Sequence, residues 1–338
     1  MTDFSWGIIG YGVIAEKFAQ AIEGLDGVTI SAVYGRTRSG VERFAEEHAI
    51  PGAYDDLTAF LADPSIDAVY VAALNNAHYN LAKAVIEAGK PLLCEKPFMT
   101  NAAHAEEIIR LARGKKVFAA EATWTKTLPV YKRLRQIVRE GGIGDLRLIT
   151  AEYFYSRGER VGRLYDKESG GGTTLDIGIY ELALVSMFLG TDPVAVSSTA
   201  YICDTGVDEV ASIAMRYKNG AMAHLVSSFG LSAPYQATLI GTKGRIDIPE
   251  FGRAQTARVY CYKENAGPVA LNKGVYRNVP EFEMEEVSHP FLVNGFEYQI
   301  LEVMDCVRSG KTESGLLPLD ETLGQLKILD RAAAQWGT

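Results

Sequence analysis

The first third of the chain alternates short apolar runs with segments whose apolar residues recur at helical spacing. Strands that are apolar almost throughout are buried on both faces, which is typical of a parallel sheet covered by helices. The pattern therefore predicts a doubly wound α/β domain over residues 1–122. The predicted strands are Phe4–Ile9, Val28–Tyr34, Asp67–Leu74, Pro91–Cys94 and Val117–Ala120, and the predicted helices are Val13–Ile22, Val41–His48, Ala77–Glu87 and Ala102–Ala112.

The pattern changes after about residue 123, where strands begin to dominate. Asn219-Gly220 between two apolar runs is a strong signal for a hairpin with a type I′ turn. Hairpins make antiparallel sheet, so residues 123–338 are predicted to form an α+β domain. Its predicted helices are Leu128–Arg139, Gly295–Arg308 and Asp320–Gln335, and its predicted strands are Leu146–Tyr155, Ala195–Ile202, Val207–Tyr217, Ala221–Phe229, Gln236–Ile240, Gly244–Ile248 and Arg258–Tyr262.

Composition narrows the class of protein. The chain has 338 residues, with 34 basic and 42 acidic side chains and a net charge of −8. This acidic balance argues against a nucleic-acid binder or an anionic-membrane binder. No apolar run approaches the ~18 residues of a membrane span, and the first residues show no signal-peptide pattern, so a cytoplasmic protein is expected. The cysteines are scattered without CxxC spacing and the histidines show no ligand spacing, so we predict no metal site.

The first strand runs into a glycine-rich turn with the pattern G-x-G-x-x-A. Gly10 permits the tight turn, and Gly12 lets the backbone approach a pyrophosphate. Val13 and Ile14 open the following helix, whose N-terminal amides and dipole favour phosphate. A structural turn is the alternative, but the strand–turn–helix context favours dinucleotide binding.

The end of the second predicted strand indicates which dinucleotide binds. Many NAD-binding domains place a carboxylate here for the ribose hydroxyls, whereas this chain has Arg36 and Thr37. A guanidinium can bind a 2′-phosphate with two hydrogen bonds. We therefore predict NADP. NAD stays an alternative, because arginines at the start of a helix are also common as solvated surface residues.

Candidate site residues follow the next two predicted strands. Leu74, Asn76 and His78 lie at the carboxyl end of one strand, and Glu95 and Lys96 at that of the other. Doubly wound sheets bind ligands at the carboxyl ends of their strands, so these residues are predicted cofactor contacts. The following proline keeps Lys96 extended, so that its ammonium can point into the cleft. A helix cap or a surface position is the alternative for His78.

Three more residues complete the predicted catalytic constellation. Asp176 and Tyr180 follow a run of glycines at i, i+4 spacing, which places them on one face of a helix. Trp124 follows the predicted strand Val117–Ala120 and is a candidate wall for the nicotinamide or the substrate, with core packing as the alternative. The segment Phe291–Phe296 is a further candidate contributor to the pocket.

These motifs together resemble the glucose–fructose oxidoreductase and inositol dehydrogenase family (Gfo/Idh/MocA). The resemblance rests on Gly10–Ala15, Glu95-Lys96-Pro97 and Gly171–Tyr180. Within the family, Glu121–Thr125 and Thr205–Glu209 resemble the branch of dimeric dihydrodiol dehydrogenase and NADP-dependent D-xylose dehydrogenase. Lys126 departs from that pattern, because an arginine is commoner beside the tryptophan.

The resemblance implies a Rossmann domain followed by a domain with a large, open, mostly antiparallel sheet, and homodimers formed through that sheet. It also implies that Lys96 and Tyr180 work at the substrate oxygen, with Asp176 beside them. The expected substrate is a sugar, such as the aldose D-xylose, or a vicinal trans-diol.

A mechanism can be argued from the residues themselves. Oxidation of an alcohol or sugar hemiacetal removes a hydroxyl proton as a hydride moves to nicotinamide. We hypothesise that Tyr180 is the general base, and that Lys96 lowers its pKa from about 10 and stabilises the developing alkoxide. Asp176 would orient the substrate or Tyr180.

Two other functions compete with this one. A non-catalytic cofactor-binding sensor would need only the glycines and the arginine. A reductase of another carbonyl or of an imine would share the nucleotide half. Retention of Lys96, Asp176 and Tyr180 together favours the dehydrogenase.

Overall fold

The computed structural model describes residues 4–156, 158–263 and 281–337. Within them, fourteen strands form two sheets, one of six strands and one of eight. This confirms the predicted fold class, with a parallel α/β sheet first and a mostly antiparallel sheet second. No helix in the described part of the chain has the length and apolar character needed to cross a membrane.

The first sheet is entirely parallel, with the order β3-β2-β1-β4-β5-β6. The strand order reverses between β1 and β4, and doubly wound sheets bind ligands at the carboxyl ends beside such a reversal. Its strands are β1 Phe4–Ile9, β2 Val28–Tyr34, β3 Gly52–Tyr54, β4 Ala68–Val71, β5 Leu92–Glu95 and β6 Ala119–Ala122, and its helices are α1 Val13–Glu23, α2 Arg38–Glu47, α3 Leu57–Ala62, α4 His78–Glu87 and α5 Ala102–Lys115.

The sequence pattern missed β3 and α3. β3 has only three residues and begins with Gly52, so it offers no apolar run to detect. α3 has only six residues, and its start is fixed by the Asp56 side chain, which accepts a hydrogen bond from the Ala59 amide at 2.8 Å.

The second sheet has the order β14-β13-β12-β11-β7-β10-β9-β8. Its neighbouring strands are antiparallel except for β7 and β10, which are parallel. The sequence pattern missed β14, an edge strand in which only Val287 is buried. The strands are β7 Leu146–Phe154, β8 Ala195–Ile202, β9 Asp208–Arg216, β10 Met222–Ser228, β11 Gln236–Gly241, β12 Gly244–Pro249, β13 Thr256–Tyr262 and β14 Phe282–Ser288.

The predicted hairpin at Asn219-Gly220 joins β9 to β10, as expected, but the predicted turn type is wrong. A type I′ turn needs a positive φ at both central residues. Here Gly220 has a φ of 82° and Asn219 has a negative φ. The Gly220 amide donates to the Tyr217 oxygen at 3.0 Å, which makes a type I turn followed by a glycine in the left-handed region.

The later helices are α6 Pro129–Arg139, α7 Ile179–Leu189, α8 Glu297–Arg308 and α9 Leu319–Ala333. α7 packs on β7 and β10 of the second sheet. α8 instead returns to the first sheet, where Ile300 and Val303 share a core with Trp6 and Phe18. The chain therefore closes over the first sheet with residues that come from its far end.

Candidate active site

The turn after β1 has the geometry of a phosphate-binding loop. Gly10 has a φ of +107°, and a Cβ there would overlap the Ala72 carbonyl oxygen, so only glycine fits. Gly12 is the N-cap of α1 and has open space where a Cβ would point. Val13 is 75% exposed, Ile14 is half-buried, and the N-cap residue, being a glycine, has no side chain to cap the helix amides. The uncapped N-terminus and the open space at Gly12 fit the phosphates of a dinucleotide.

Of the two arginines directly after β2, Arg36 and Arg38, only Arg38 is engaged by carboxylates in the described part of the chain. Arg38 Nε forms an ion pair with Glu42 Oε1 at 2.6 Å, and Arg38 Nη1 lies 3.6 Å from Asp55 Oδ1. Thr37 is the N-cap of α2, and its hydroxyl hydrogen-bonds the Tyr11 hydroxyl at 2.7 Å. Arg36 is exposed and, within the described residues, makes no hydrogen bond or ion pair. Arg36 is therefore the arginine available to a ligand.

Buried carboxylates hold the turn that carries Lys96. The Tyr70 hydroxyl donates to Glu95 Oε1 at 2.5 Å, and the Phe98 amide donates to Glu121 Oε1 at 2.8 Å. Burial raises the pKa of Glu95 to about 7. The Lys96–Pro97 peptide bond is cis. The turn thus rests on carboxylates at the ends of β5 and β6.

His78 lies under the same turn and is fully buried, so a surface position for it is wrong. Its Nδ1 is 2.9 Å from the Pro97 oxygen, and its Nε2 is 3.2 Å from the Ala73 oxygen. Burial lowers the pKa of the imidazole. The structure therefore shows His78 supporting the backbone beneath Lys96.

The other predicted residues after β4 lie beside the glycine-rich segment. Leu74 is partly exposed, and the Asn76 side chain donates to the Glu168 oxygen at 3.0 Å. Its neighbour Asn75, which sequence reasoning missed, donates to the Gly170 oxygen at 2.9 Å. These two amides join the first sheet to the segment that leads to Asp176.

The structure brings Lys96, Asp176 and Tyr180 together. Lys96 Nζ donates to the Asp176 backbone oxygen at 2.7 Å and to its Oδ1 at 3.0 Å. The same ammonium lies 4.9 Å from the centre of the Tyr180 ring. Residues Thr174–Gly178 form a π-helical turn before α7, rather than the regular helix that the spacing predicts. Asp176 and Tyr180 nevertheless both lie beside Lys96.

The Tyr180 hydroxyl is set by Trp124, whose Nε1 donates to it at 3.2 Å. Burial raises the pKa of Tyr180 well above its ordinary value, and the charge of Glu95 adds to the increase. The Trp124 hydrogen bond acts in the opposite direction. We expected Lys96 to lower this pKa. In the structure the ammonium is bound to Asp176 and faces the ring of Tyr180. The burial of the hydroxyl therefore outweighs it, and the pKa of Tyr180 is raised.

Asp208 holds the glycine-rich segment from the second sheet. Its Oδ2 accepts the Thr174 amide at 2.8 Å, and a Cβ on Gly172, whose φ is +113°, would overlap its Oδ1. Burial raises the pKa of Asp208 to about 6. Sequence reasoning noted Asp208 only as part of a family motif, since its partner is a backbone amide 34 positions away.

Lys126, the departure from the family pattern, is buried and donates to Glu321 Oε2 at 2.5 Å. Burial lowers the pKa of its ammonium. It therefore joins the segment after β6 to α9. Among the described residues, no group of three or more His, Cys, Asp or Glu side chains is placed to hold a metal ion.

Comparison with known families adds the decisive observation. Residues 4–122 match a family described as "Oxidoreductase family, NAD-binding Rossmann fold", and residues 131–247 match the GFO/IDH/MocA C-terminal domain. The chain belongs to the Gfo/Idh/MocA oxidoreductase family. It is therefore an oxidoreductase, and its cofactor is a nicotinamide dinucleotide, as the sequence predicted.

Named relatives agree with the predicted branch. The chain is 33% identical to trans-1,2-dihydrobenzene-1,2-diol dehydrogenase of Xenopus tropicalis over 98% of each chain. It is 30% identical to the human protein of that name, over 94% of this chain and 92% of the other. In fold it is similar to KijD10, a 3-ketoreductase from Actinomadura kijaniata crystallised with NADP and TDP-benzene, with a TM-score of 0.84, 21% identity and coverage of 99% and 98%.

Proposed function

We propose that this protein is an NADP-dependent dehydrogenase that transfers a hydride between nicotinamide and a hydroxyl-bearing carbon of an aldose, such as D-xylose, or of a vicinal trans-diol. The observation that carries the proposal is the cluster of Lys96, Asp176 and Tyr180, with Lys96 at the carboxyl end of β5. Residues 1–122 would bind the cofactor, and residues 123–338 would bind the substrate.

The roles follow from the contacts. A bound nicotinamide supplies the hydride acceptor in oxidation and the hydride donor in reduction. Tyr180 exchanges the proton of the substrate hydroxyl, and Trp124 steadies the same phenolic oxygen through its indole N–H. Lys96, fixed on Asp176, places positive charge where the substrate oxygen becomes negative. Asp176 and Trp124 would also contact the substrate.

The pKa of Tyr180 determines whether its hydroxyl donates or accepts the substrate proton at a given pH. Because it is raised, the phenol is protonated at neutral pH and ready to act as the acid in carbonyl reduction. Oxidation needs the phenolate, which becomes more abundant at alkaline pH and beside the positive charge of oxidised nicotinamide. Reduction near neutrality and oxidation at higher pH are therefore the expected optima.

NADP is preferred over NAD because of the charges after β2. Arg36 is free to bind a 2′-phosphate, whereas Glu42 and Asp55 already engage Arg38. The names of relatives support the substrate class, since the Xenopus tropicalis and human proteins, at 33% and 30% identity, are named for a trans-diol.

The substrate site is bordered by aromatic rings. The Tyr153 ring stacks on the Tyr235 ring, with 4.4 Å between their centres, and its centre lies 6.1 Å from that of Tyr180. The ring centres of Trp124 and Phe291 are 6.0 Å apart. Such rings pack equally well on the apolar face of a sugar and on a cyclohexadiene diol.

The test of this function is the initial rate of NADP and NAD reduction, followed at 340 nm, across aldoses, inositols and trans-dihydrodiols. Turnover that is much faster with NADP than with NAD supports the proposal, and the best substrate identifies the branch. Tight NADPH binding with no turnover of any compound, in either direction, would favour the sensor.

We also propose a homodimer formed through the open face of the second sheet. The residues that alternate with the buried positions on β7, β10 and β11 include Leu148, Met222, Val226 and Ile240, which are only partly shielded from solvent. The same face also carries the polar residues Thr150, Glu152, His224, Gln236 and Thr238, and a mixed surface with exposed apolar side chains is compatible with an interface between subunits. Sedimentation velocity should give a dimer, and Met222→Arg should give a monomer.

A further inference from the structure

The segment that joins β14 to α8 is organised by one buried carboxylate. Glu297 lies in the first turn of α8 and is fully buried. Its Oε1 accepts the amides of Leu292 and Val293 at 2.9 and 3.2 Å. Its Oε2 accepts the amides of Asn294 and Gly295 at 3.2 and 2.6 Å. Four consecutive backbone donors therefore depend on a single side chain.

The same segment is docked on the phosphate-binding helix. The Asn294 side chain donates to the Lys17 oxygen of α1 at 2.8 Å. The Val293 side chain packs against Gly24 at the end of that helix, where a Cβ would overlap it. The segment therefore has little freedom to shift on α1.

The segment also packs against the Trp124 indole. Gly295 has a φ of +97°, and a Cβ there would overlap Cζ3 of Trp124, so the indole lies directly on the glycine backbone. The rings of Phe291 and Phe296 lie 6.0 and 5.1 Å from it. The segment from Phe291 to Phe296 thus fixes the plane of the tryptophan.

We infer that Glu297 is a positioning residue for proton transfer at Tyr180, acting through this segment and Trp124. The inference rests on the proposed function, in which Tyr180 exchanges the substrate proton. The indole N–H can donate to the Tyr180 oxygen only if the indole lies where the segment holds it. A donor to that oxygen favours the phenolate, which is the form that accepts a proton in oxidation.

The first experiment compares the pH dependence of kcat for oxidation in the wild type, Glu297→Gln, Trp124→Phe and the double variant. Glutamine offers one acceptor oxygen in place of two and leaves amides of the segment without a partner. Both single variants should displace the rising part of the pH profile to higher pH by about one pH unit, and so lower kcat at neutral pH about tenfold. The double variant should behave as Trp124→Phe does, because both changes act on one hydrogen bond.

Glu302→Gln is the matched control. Glu302 lies on the same helix and accepts from the Ser314 hydroxyl at 2.5 Å, so it fixes a different loop. It should leave the rising part of the pH profile unchanged. A profile that Glu297→Gln does not displace, or displacements by Glu297→Gln and Trp124→Phe that simply add, would overturn the inference.

A second readout does not depend on activity. The chain has three tryptophans, so 5-fluorotryptophan labelling gives three ¹⁹F resonances, and Trp124→Phe assigns one of them. Glu297→Gln should shift the Trp124 resonance, and Glu302→Gln should not. If Glu297→Gln does not fold, Gly295→Ala applies the same test from the other side of the indole. An unmoved Trp124 resonance overturns the inference and leaves Tyr180 as the acid, whereas full turnover of Tyr180→Phe overturns the proposed role of Tyr180 itself.

Discussion

Lys96 holds Asp176 at two points, the backbone oxygen at 2.7 Å and the carboxylate at 3.0 Å. Both groups are largely buried, so the pair is little weakened by solvent. The ammonium therefore both hydrogen-bonds the π-helical turn and lies beside the Tyr180 ring, 4.9 Å from its centre.

Removing the ammonium should abolish most of the activity. Lys96→Met is expected to lower kcat, measured by NADP reduction at 340 nm, at least about 100-fold. Lys90→Met is the control, because Lys90 also donates to two backbone oxygens, at 2.8 and 2.9 Å, but far along the chain from Asp176. Near-normal turnover of Lys96→Met would contradict the proposed role.

The two arginines after β2 should differ in their effect on cofactor choice. Arg36→Ala is expected to lower kcat/KM for NADP about 10- to 100-fold and to leave the NAD value nearly unchanged, because only NADP carries the 2′-phosphate. Arg38→Ala should affect both cofactors little, since Glu42 already engages that guanidinium. Equal losses for both cofactors in Arg36→Ala would argue against a 2′-phosphate contact.

Proton exchange by Tyr180 should show in opposite pH dependences. Since its pKa is raised, oxidation should accelerate as pH rises towards that pKa, and reduction should slow as the phenol ionises. Tyr180→Phe should lose both activities by at least about 100-fold. Tyr153→Phe is the comparison, since its hydroxyl belongs to the neighbouring ring and it should keep the wild-type pH profile.

His48 should make stability depend on pH. Its ring nitrogens lie 2.7 Å from carboxylates of Glu16 and Glu23 on α1. Burial opposes its charge, but the hydrogen bonds to the two carboxylates prevail, so the pKa of His48 is raised. The stabilisation is therefore complete below the ordinary histidine pKa and is lost as pH rises through the raised value.

Urea unfolding tests this linkage. His48→Gln should lower the free energy of unfolding more at pH 6 than at pH 9. His104→Gln is the control, because His104 is an exposed histidine on α5 that contacts Asn101 and Tyr79 instead of two carboxylates. A difference between wild type and His48→Gln that does not vary with pH would show that the charge of His48 is not involved.

The glycine-rich segment should tolerate no side chain at Gly172. Gly172→Ala introduces a Cβ against the Asp208 carboxylate and places an alanine at a φ of +113°, which is strained. We therefore expect the free energy of unfolding to fall by about 1–3 kcal/mol, and most of the activity to be lost. Gly162→Ala controls for backbone strain, since its φ is +76° but nothing lies within 4 Å of its Cβ position. Equal effects of the two substitutions would remove Asp208 from the explanation.

Much of this site could be predicted because its residues follow strand ends. The apolar pattern locates β1, β4, β5 and β6, and parallel strands bring their carboxyl ends to one edge. Lys96 and Trp124 are therefore neighbours in space for reasons visible in the sequence. Tyr180 could be placed beside them only through the family motif.

The supporting residues could not be predicted, because their partners are backbone amides that leave no mark on the pattern. Glu297 is one acidic residue at the start of a helix, and nothing in its surroundings shows that four amides converge on it. Asp208 opens an ordinary strand, and its partner is fixed by tertiary packing. The π-helical turn at Thr174–Gly178, in which the Asp176 backbone oxygen accepts from Lys96, likewise has no signal in the sequence pattern.

The return of α8 to the first sheet limits how this protein can be recombined. Ile300 and Val303 fill the core around Trp6 and Phe18, and the Thr312 oxygen accepts the Ala119 amide of β6 at 3.2 Å. A fragment ending at residue 122 would expose this core to water and tend to aggregate. A chimaera that contains the N-terminal domain of a relative must therefore also contain that relative's C-terminal segment. The two domains cannot be exchanged independently.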